Sequence, residues 1–302
     1  MSIRLPCFLT ASLLLVLVTV AGCQTGDSDD REVENWKLGW RMLDSATSDE
    51  ELARRQYDSL RRRSPIAEWQ PVVAQLAIIL HLSTRDSAEI AAIAGQRSPE
   101  ERRELCQMGL LVGIVDCPPA APESVTLPAW RDRLVGHHVR DQAVRGQLPA
   151  DLIAAYAVDT TGWQDWDAAH VDSAGRALLQ EFIITYGFPT RAQVGEEGMQ
   201  SVFLIAQHAD TDREWQAAQL PHLERAVARG DLDPQDYAYL FDRVRVGAGK
   251  QQRYGTQFRR VDAAAGVAEL FPVEDSLHLD RRRMEMGMMP AKLYVRTMLE
   301  PG

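Results

Sequence analysis

Two short polar runs carry the residue types that acid–base chemistry needs. In Gln207-His208-Ala209-Asp210, an imidazole stands two residues from a carboxylate. On a continuous helix these side chains would diverge by about 200°. If the helix ends at His208 they could converge, with His208 as general base and Asp210 orienting it. The structural alternative is a buried histidine bonded to backbone, with Asp210 as a helix N-cap. In Asp242-Arg243 the carboxylate sits mid-helix beside Leu240 and Phe241. At that depth it needs a partner, and Arg282 or Arg283 is the natural one. Gln252, Tyr254, Thr256 and Gln257 present polar tips suited to hydrogen-bonding a sugar, a peptide or a nucleobase, but not to nucleophilic attack. The expected ligand-binding set is therefore Asp242, Arg243, Gln252, Tyr254, Gln257 and Arg282 beside His208. In a hydrolase built on it, Arg243 or Arg282 would neutralise developing negative charge. There is no GxSxG, HExxH, Walker or GxGxxG element, so water would have to be the nucleophile.

Other reactive types point to structure. Met284, Met286, Met288 and Met289 could suggest Cu(I), but methionine in a terminal helix is more often core filler. His137 and His138 are adjacent, point apart and make a poor metal pair. No metal site is read from these residues and the cofactor stays open, since a hydrolase that uses water would call for a metal or a strongly perturbed acid.

The elements that must position these residues are mainly helical. Val33, Trp36, Trp40 and Leu43 make one helical stripe, and Ser48 with Glu51, Asp86 with Glu89 and Ser98 with Glu101 mark capped starts. Gly95 reads as a glycine just past a helix end. Four prolines in 116–128 predict a linker between an N-terminal helical region, 31–115, and a C-terminal domain, 129–302. Beyond it, helices are expected from Trp130 to about Leu148, from Val171 to Tyr186, from about Glu196 to His208, over Trp215 to Val227, and from Pro234. Apolar residues on nearly every face make the Glu196 helix central. Tyr254, Thr256 and Phe258 alternate, and Val267 to Val273 follows, which predicts a small antiparallel β-hairpin. Asp275 would cap a helix through Leu277 and Met284. The fold class is multi-helix, mainly α, with this one ribbon near the C-terminus.

The formal net charge is −10 over 302 residues, and removing 1–22 takes away only Arg4, leaving −11. Such a field repels nucleic acid and anionic lipid, so neither is an expected non-specific partner. Arg4, the apolar run Phe8 to Val20 and the sequence Val20-Ala21-Gly22-Cys23 resemble the signal peptide and lipobox of bacterial lipoproteins. The resemblance implies cleavage after residue 22, acylation of Cys23, handling by the lipoprotein processing and sorting machinery, and membrane attachment through that lipid. Gln24 rather than aspartate after Cys23 implies sorting to the outer membrane, facing the periplasm, on a tether of 23–30. In that oxidising compartment Cys106 and Cys117 could pair; the alternative is a buried thiol at Cys106 and a free one at Cys117. An envelope protein could dock on the acidic N-terminal helices.

From about Val135 to Tyr294 the chain resembles a bacterial family known as domain of unknown function 6624. The resemblance is carried by Asp141-Gln142 with Arg145, Gly187-Phe188-Pro189-Thr190, Val194-Gly195, Gln207-His208-Ala209-Asp210, Asp242-Arg243-Val244, Gln252-Arg253-Tyr254-Gly255-Thr256-Gln257, Glu274-Asp275, Asp280 with Arg282 and Arg283, and Gly287. Phe188, Ser276 and Met288 depart from the tryptophan, proline and leucine usual there. The family implies no activity.

Overall fold

The computed structural model describes residues 27–46, 50–69, 71–82, 85–107, 110–111, 113–117, 124–162 and 167–299. The signal-like segment, Cys23, the tether before Asp27, Ser48 and the prolines at 118, 119 and 122 lie outside them. From Asp27 onward the expected tether is already helical.

The chain falls into two compact units. The first comprises the described residues before Pro122, together with Arg260–Ala268 and those from Asp275 onward. It contains α1 (Asp27–Ala46), α2 (Glu50–Arg63), α3 (Pro71–Leu82), α4 (Ser87–Gly95) and α5 (Pro99–Gln107). Trp36, Leu60, Ile66, Ile78, Ile90 and Ile93 form its core. Gly39 lets α1 approach α3, since a Cβ there would lie 2.6 Å from a methyl of Val73. Ser98 and Glu101 cap α5 reciprocally, with Ser98 N–H donating to Glu101 Oε2 (2.9 Å) and Glu101 N–H to Ser98 Oγ (3.2 Å). Gly95 is the last helical residue of α4, not the left-handed residue beyond it.

The second unit is Pro122–Arg259 with Glu269–Glu274. It holds α6 (Pro128–Ala143), α7 (Ala150–Tyr156), α8 (Ala168–Tyr186), α9 (Arg191–Gln207), α10 (Arg213–Ala228) and α11 (Pro234–Gly247). α9 breaks at Gly195 (φ 75°) and then buries Met199, Val202, Phe203, Ile205 and Ala206. This is the central helix expected from Glu196. α6 stops at Ala143, short of Leu148, because the chain turns through Gly146 at φ 81°. Its buried residues include Leu134, Val135, His137, Val139 and Asp141.

β1 (Phe258–Asp262) and β2 (Val267–Leu270) pair as a two-stranded antiparallel ribbon, so the protein is mainly α with one small sheet among the described residues. The strand begins later than expected: Tyr254 and Thr256 belong to a loop.

Two short helices, α12 (Leu279–Glu285) and α13 (Ala291–Thr297), belong to the first unit. These helices group with the N-terminal helices, although the sequence assigns them to the domain expected at 129–302. Met284 enters the N-terminal core, Asp280 pairs with Lys37 at 3.2 Å and Arg281 with Asp30 at 2.6 Å. Asp275 caps the turn before α12 rather than a helix through Leu277, its Oδ1 accepting from the N–H groups of Leu277 and His278.

Cys106 and Cys117 are joined by a disulfide, Cα–Cα 5.6 Å, closing a loop with sequence separation 11. A loop of that size is worth about 3 kcal/mol through the unfolded chain. Cys106→Ser is expected to lower the melting midpoint by roughly 5–10 °C. Differential scanning calorimetry of the oxidised, reduced and substituted protein reads this; an unchanged midpoint would mean the bridge carries no stability.

Candidate functional site

His208 caps the C-terminus of α9, where the helix has just ended. Its ring does turn to a carboxylate, but not to that of Asp210. Nδ1 lies 2.7 Å from Oδ1 of Asp141, on α6. Asp141 is 1% exposed, and every polar contact it makes is to a donor. Gln142 Nε2 donates to Oδ2 (2.7 Å), and Arg145 NH1 donates to Oδ1 (2.8 Å) and to the Asp141 carbonyl (2.9 Å). Arg145 NH2 reaches on to Asp172 on α8 at 2.7 Å. Burial pushes the Asp141 carboxyl up, but the hydrogen bonds from His208 and Gln142 and the Arg145 charge outweigh it and hold it below the usual carboxylate range.

A carboxylate facing Nδ1 can only accept, so the neutral ring carries its proton on Nδ1. Nε2 hydrogen-bonds nothing among the described residues and is not sealed from solvent. The result is an imidazole with a fixed tautomer and an accessible lone pair.

Asp210, expected to orient His208, instead holds Arg243 of α11 through a two-pronged ion pair, with Arg243 Nε 2.7 Å from Oδ1 and NH2 against Oδ2. Asp210 lies in the field of His208, so Arg243 is tied to that corner through it. Gln216 of α10 secures this corner: its Nε2 donates to the carbonyls of Ala206 (3.2 Å) and Gln207 (3.0 Å) and to Asp210 Oδ1 (3.3 Å). It thereby satisfies acceptors that the end of α9 leaves open. The N-cap of α10 is Asp212, which accepts from Trp215 N–H. Three carboxylates (141, 172, 210) face two guanidinium groups (145, 243), so protonating His208 brings the site to neutrality.

One oxygen each of Asp141 and Asp172 and one nitrogen of His208 lie within 4.8 Å of one another, a separation that could suit a metal ion. Arg145 bridges both carboxylates, however, so a guanidinium already holds the cation's place. The set fits a histidine–aspartate pair better than a metal centre.

Asp242 and its neighbours form a separate knot. Asp242 is fully buried and pairs with neither Arg282 nor Arg283. It accepts from the N–H groups of Arg253 (2.6 Å), Tyr254 and Thr256 (3.1 Å each) and from Thr256 Oγ1 (3.1 Å). Burial raises its pKa, and these donors pull the other way. N–H groups of successive residues alternate in direction along a strand, so closing three of them on one carboxylate requires a loop. Gly255, at φ 65°, makes that loop. Gln252 is likewise fully buried: its Nε2 donates to the carbonyls of Gln257 (3.0 Å) and Phe271 (2.7 Å), and its Oε1 accepts from Gln257 N–H (2.8 Å). Gln257 Nε2 donates to Thr256 Oγ1 (2.9 Å), and the Tyr254 ring meets Phe241 edge-on. Asp242, Gln252 and Thr256 thus spend their polar atoms on folding, not on a ligand. Arg282 belongs to the first unit, where it donates to the carbonyl of Asp275. Within the second unit the structure joins His208, Asp210 and Arg243, and adds Asp141, Arg145 and Asp172.

The missed residues left a trace in the sequence. His137 and Asp141 share one otherwise apolar face of α6, and Arg145 follows at the same four-residue spacing just past the helix end. His137 is 4% exposed, and burial pushes its imidazole down to about 4 despite the Asp141 charge. A base whose folded pKa lies below its unfolded value of about 6.5 binds fewer protons folded than unfolded between the two. Its contribution is fully present above about pH 6.5 and is lost as pH falls toward 4, to the extent of roughly 3 kcal/mol. Chemical denaturation at a series of pH values should show that slope in wild type and a flatter one in His137→Phe; equal slopes would refute it.

No curated protein and no solved structure matches the chain. Residues 128–301, more than half of its length, match the model of a family of unknown function, and the chain belongs to that family, DUF6624.

Proposed function

We propose that the family domain carries an acid–base site in which His208 is the base, Asp141 its orienting anion and Arg243 the nearby cation. The observation that carries this reading is the 2.7 Å contact from Nδ1 to a carboxylate 1% exposed, which leaves Nε2 open. In the reaction this supports, Nε2 takes a proton from water and the resulting hydroxide attacks an electrophilic carbonyl or phosphoryl centre. Arg243 neutralises the developing oxyanion, and the imidazolium returns the proton to the leaving group. The reaction class is hydrolysis.

The same proposal places the protein in the cell envelope, lipid-anchored at Cys23 to the outer membrane and facing the periplasm. Support comes from the lipobox-like Val20 to Cys23 and from the Cys106–Cys117 bridge, which suits an oxidising compartment. Its partners would be the membrane through that anchor, the sorting machinery that delivers it, and an envelope protein docked on the N-terminal helices.

The test is a panel of p-nitrophenyl esters, phosphates, phosphodiesters and glycosides, turned over by wild type and by His208→Gln. Hydrolysis of at least one class should fall about 10²–10⁴-fold in the variant. Equal rates for the two proteins would overturn the reading.

A further inference from the structure

A cavity of about 460 Å³ opens in the second unit between α6, α8 and the turn after α7. His137 lines it. Although 4% exposed, this imidazole has no hydrogen bond from either ring nitrogen among the described residues, and neither nitrogen is sealed off. A buried polar ring ordinarily satisfies itself; here neither nitrogen is paired. Gly175 on α8 leaves room for Nε2, because a Cβ at that position would stand 2.4 Å from it.

The charged groups around the cavity are already matched. Asp132 holds Arg131 (2.8 Å), Arg133 holds Glu181 (2.7 Å), and Arg140 lies in the field of Asp159. With no surplus charge of either sign, the cavity favours a neutral ligand over an anion or a cation. Asp132, Asp159, Arg133 and Arg140 line the cavity around a neutral imidazole, so groups of both polarities border it, and Tyr156 closes one end with the Arg131 guanidinium 5.2 Å from its ring centroid. Uncharged groups that both donate and accept, as the hydroxyls of a small ring do, answer that lining. We infer that this cavity is a binding site for a neutral saccharide unit, with His137 as its central hydrogen-bonding group. Its volume is ordinary for a small-molecule site. The inference stands apart from the acid–base reading, since His208 does not line the cavity.

The test uses the full chain and two probes, methyl N-acetylglucosaminide and glucose, with inorganic phosphate as the charged comparison. Amide shifts of Gly136, Ala157 and Val158 are followed by NMR during titration. Saturable shifts with a saccharide and none with phosphate are expected, and His137→Phe should weaken binding at least tenfold. Ala174→Leu, which fills the cavity from α8, should do the same and decides the matter if His137→Phe fails to fold. The inference falls if neither saccharide shifts these amides, if phosphate shifts them instead, or if binding survives both substitutions.

Discussion

Asp242→Ala is expected to lower the stability of the second unit by about 4 kcal/mol or more, because it strands three backbone N–H groups and one hydroxyl in a site that water does not reach. Each buried donor left without a partner costs roughly 1–3 kcal/mol, and the cost is greatest where the acceptor was charged. For a unit of this size the melting midpoint should fall by roughly 10–15 °C. Asp242→Asn should cost about half as much. It keeps one oxygen for Arg253 and Tyr254 but turns an NH2 group toward Thr256, donor against donor. Loss of the exposed partner in Asp210→Ala serves as the contrast, since a half-exposed ion pair contributes about 1 kcal/mol or less. Calorimetry on the three variants checks the order. Equal midpoints for Asp242→Ala and Asp210→Ala would mean that the 253–256 loop is not held by Asp242.

The second large effect concerns rate. Asp141→Asn keeps an acceptor for Nδ1 but removes the charge that steadies the imidazolium formed when His208 takes a proton. Hydrolysis of whichever substrate class wild type accepts should drop by roughly 10²–10⁴-fold. The fold should survive, because Arg145 retains Asp172 at 2.7 Å and the Asp141 carbonyl at 2.9 Å. A rate within threefold of wild type would leave Asp141 a structural group.

The contrast between these two aspartates shows what the sequence could disclose. Helix ends were legible because their signals are local: Ser98 with Glu101, Asp86 before α4 and Gly187 at the end of α8 each act within a few residues. The central place of α9 followed from its composition. Pairings across the unit were not legible. His208 invited the nearest carboxylate, Asp210, whereas its partner lies 67 positions away on α6 and is brought near only by the packing of α6 on α9. Asp242 invited an arginine, because a mid-helix carboxylate suggests an ion pair; backbone N–H groups, which sequence does not advertise, took that role. Alternation of Tyr254, Thr256 and Phe258 mimicked a strand for the same reason. What alternates there is side-chain type, while the backbone curls around one carboxylate. Residues from Asp275 onward fall within the family match, and Met284 finds its apolar neighbours in the N-terminal core.

All of the chemistry assigned to His208 depends on which ring nitrogen holds the proton. A long-range ¹H–¹⁵N spectrum of the imidazoles at pH 8.5, with His208 assigned by its loss in His208→Gln, measures that directly. The neutral ring of His208 should be the Nδ1–H tautomer, with Nε2 at an unprotonated shift. A ring protonated on Nε2, or an even mixture of the two forms, would contradict the account, because a nitrogen that already carries the proton cannot serve as the base.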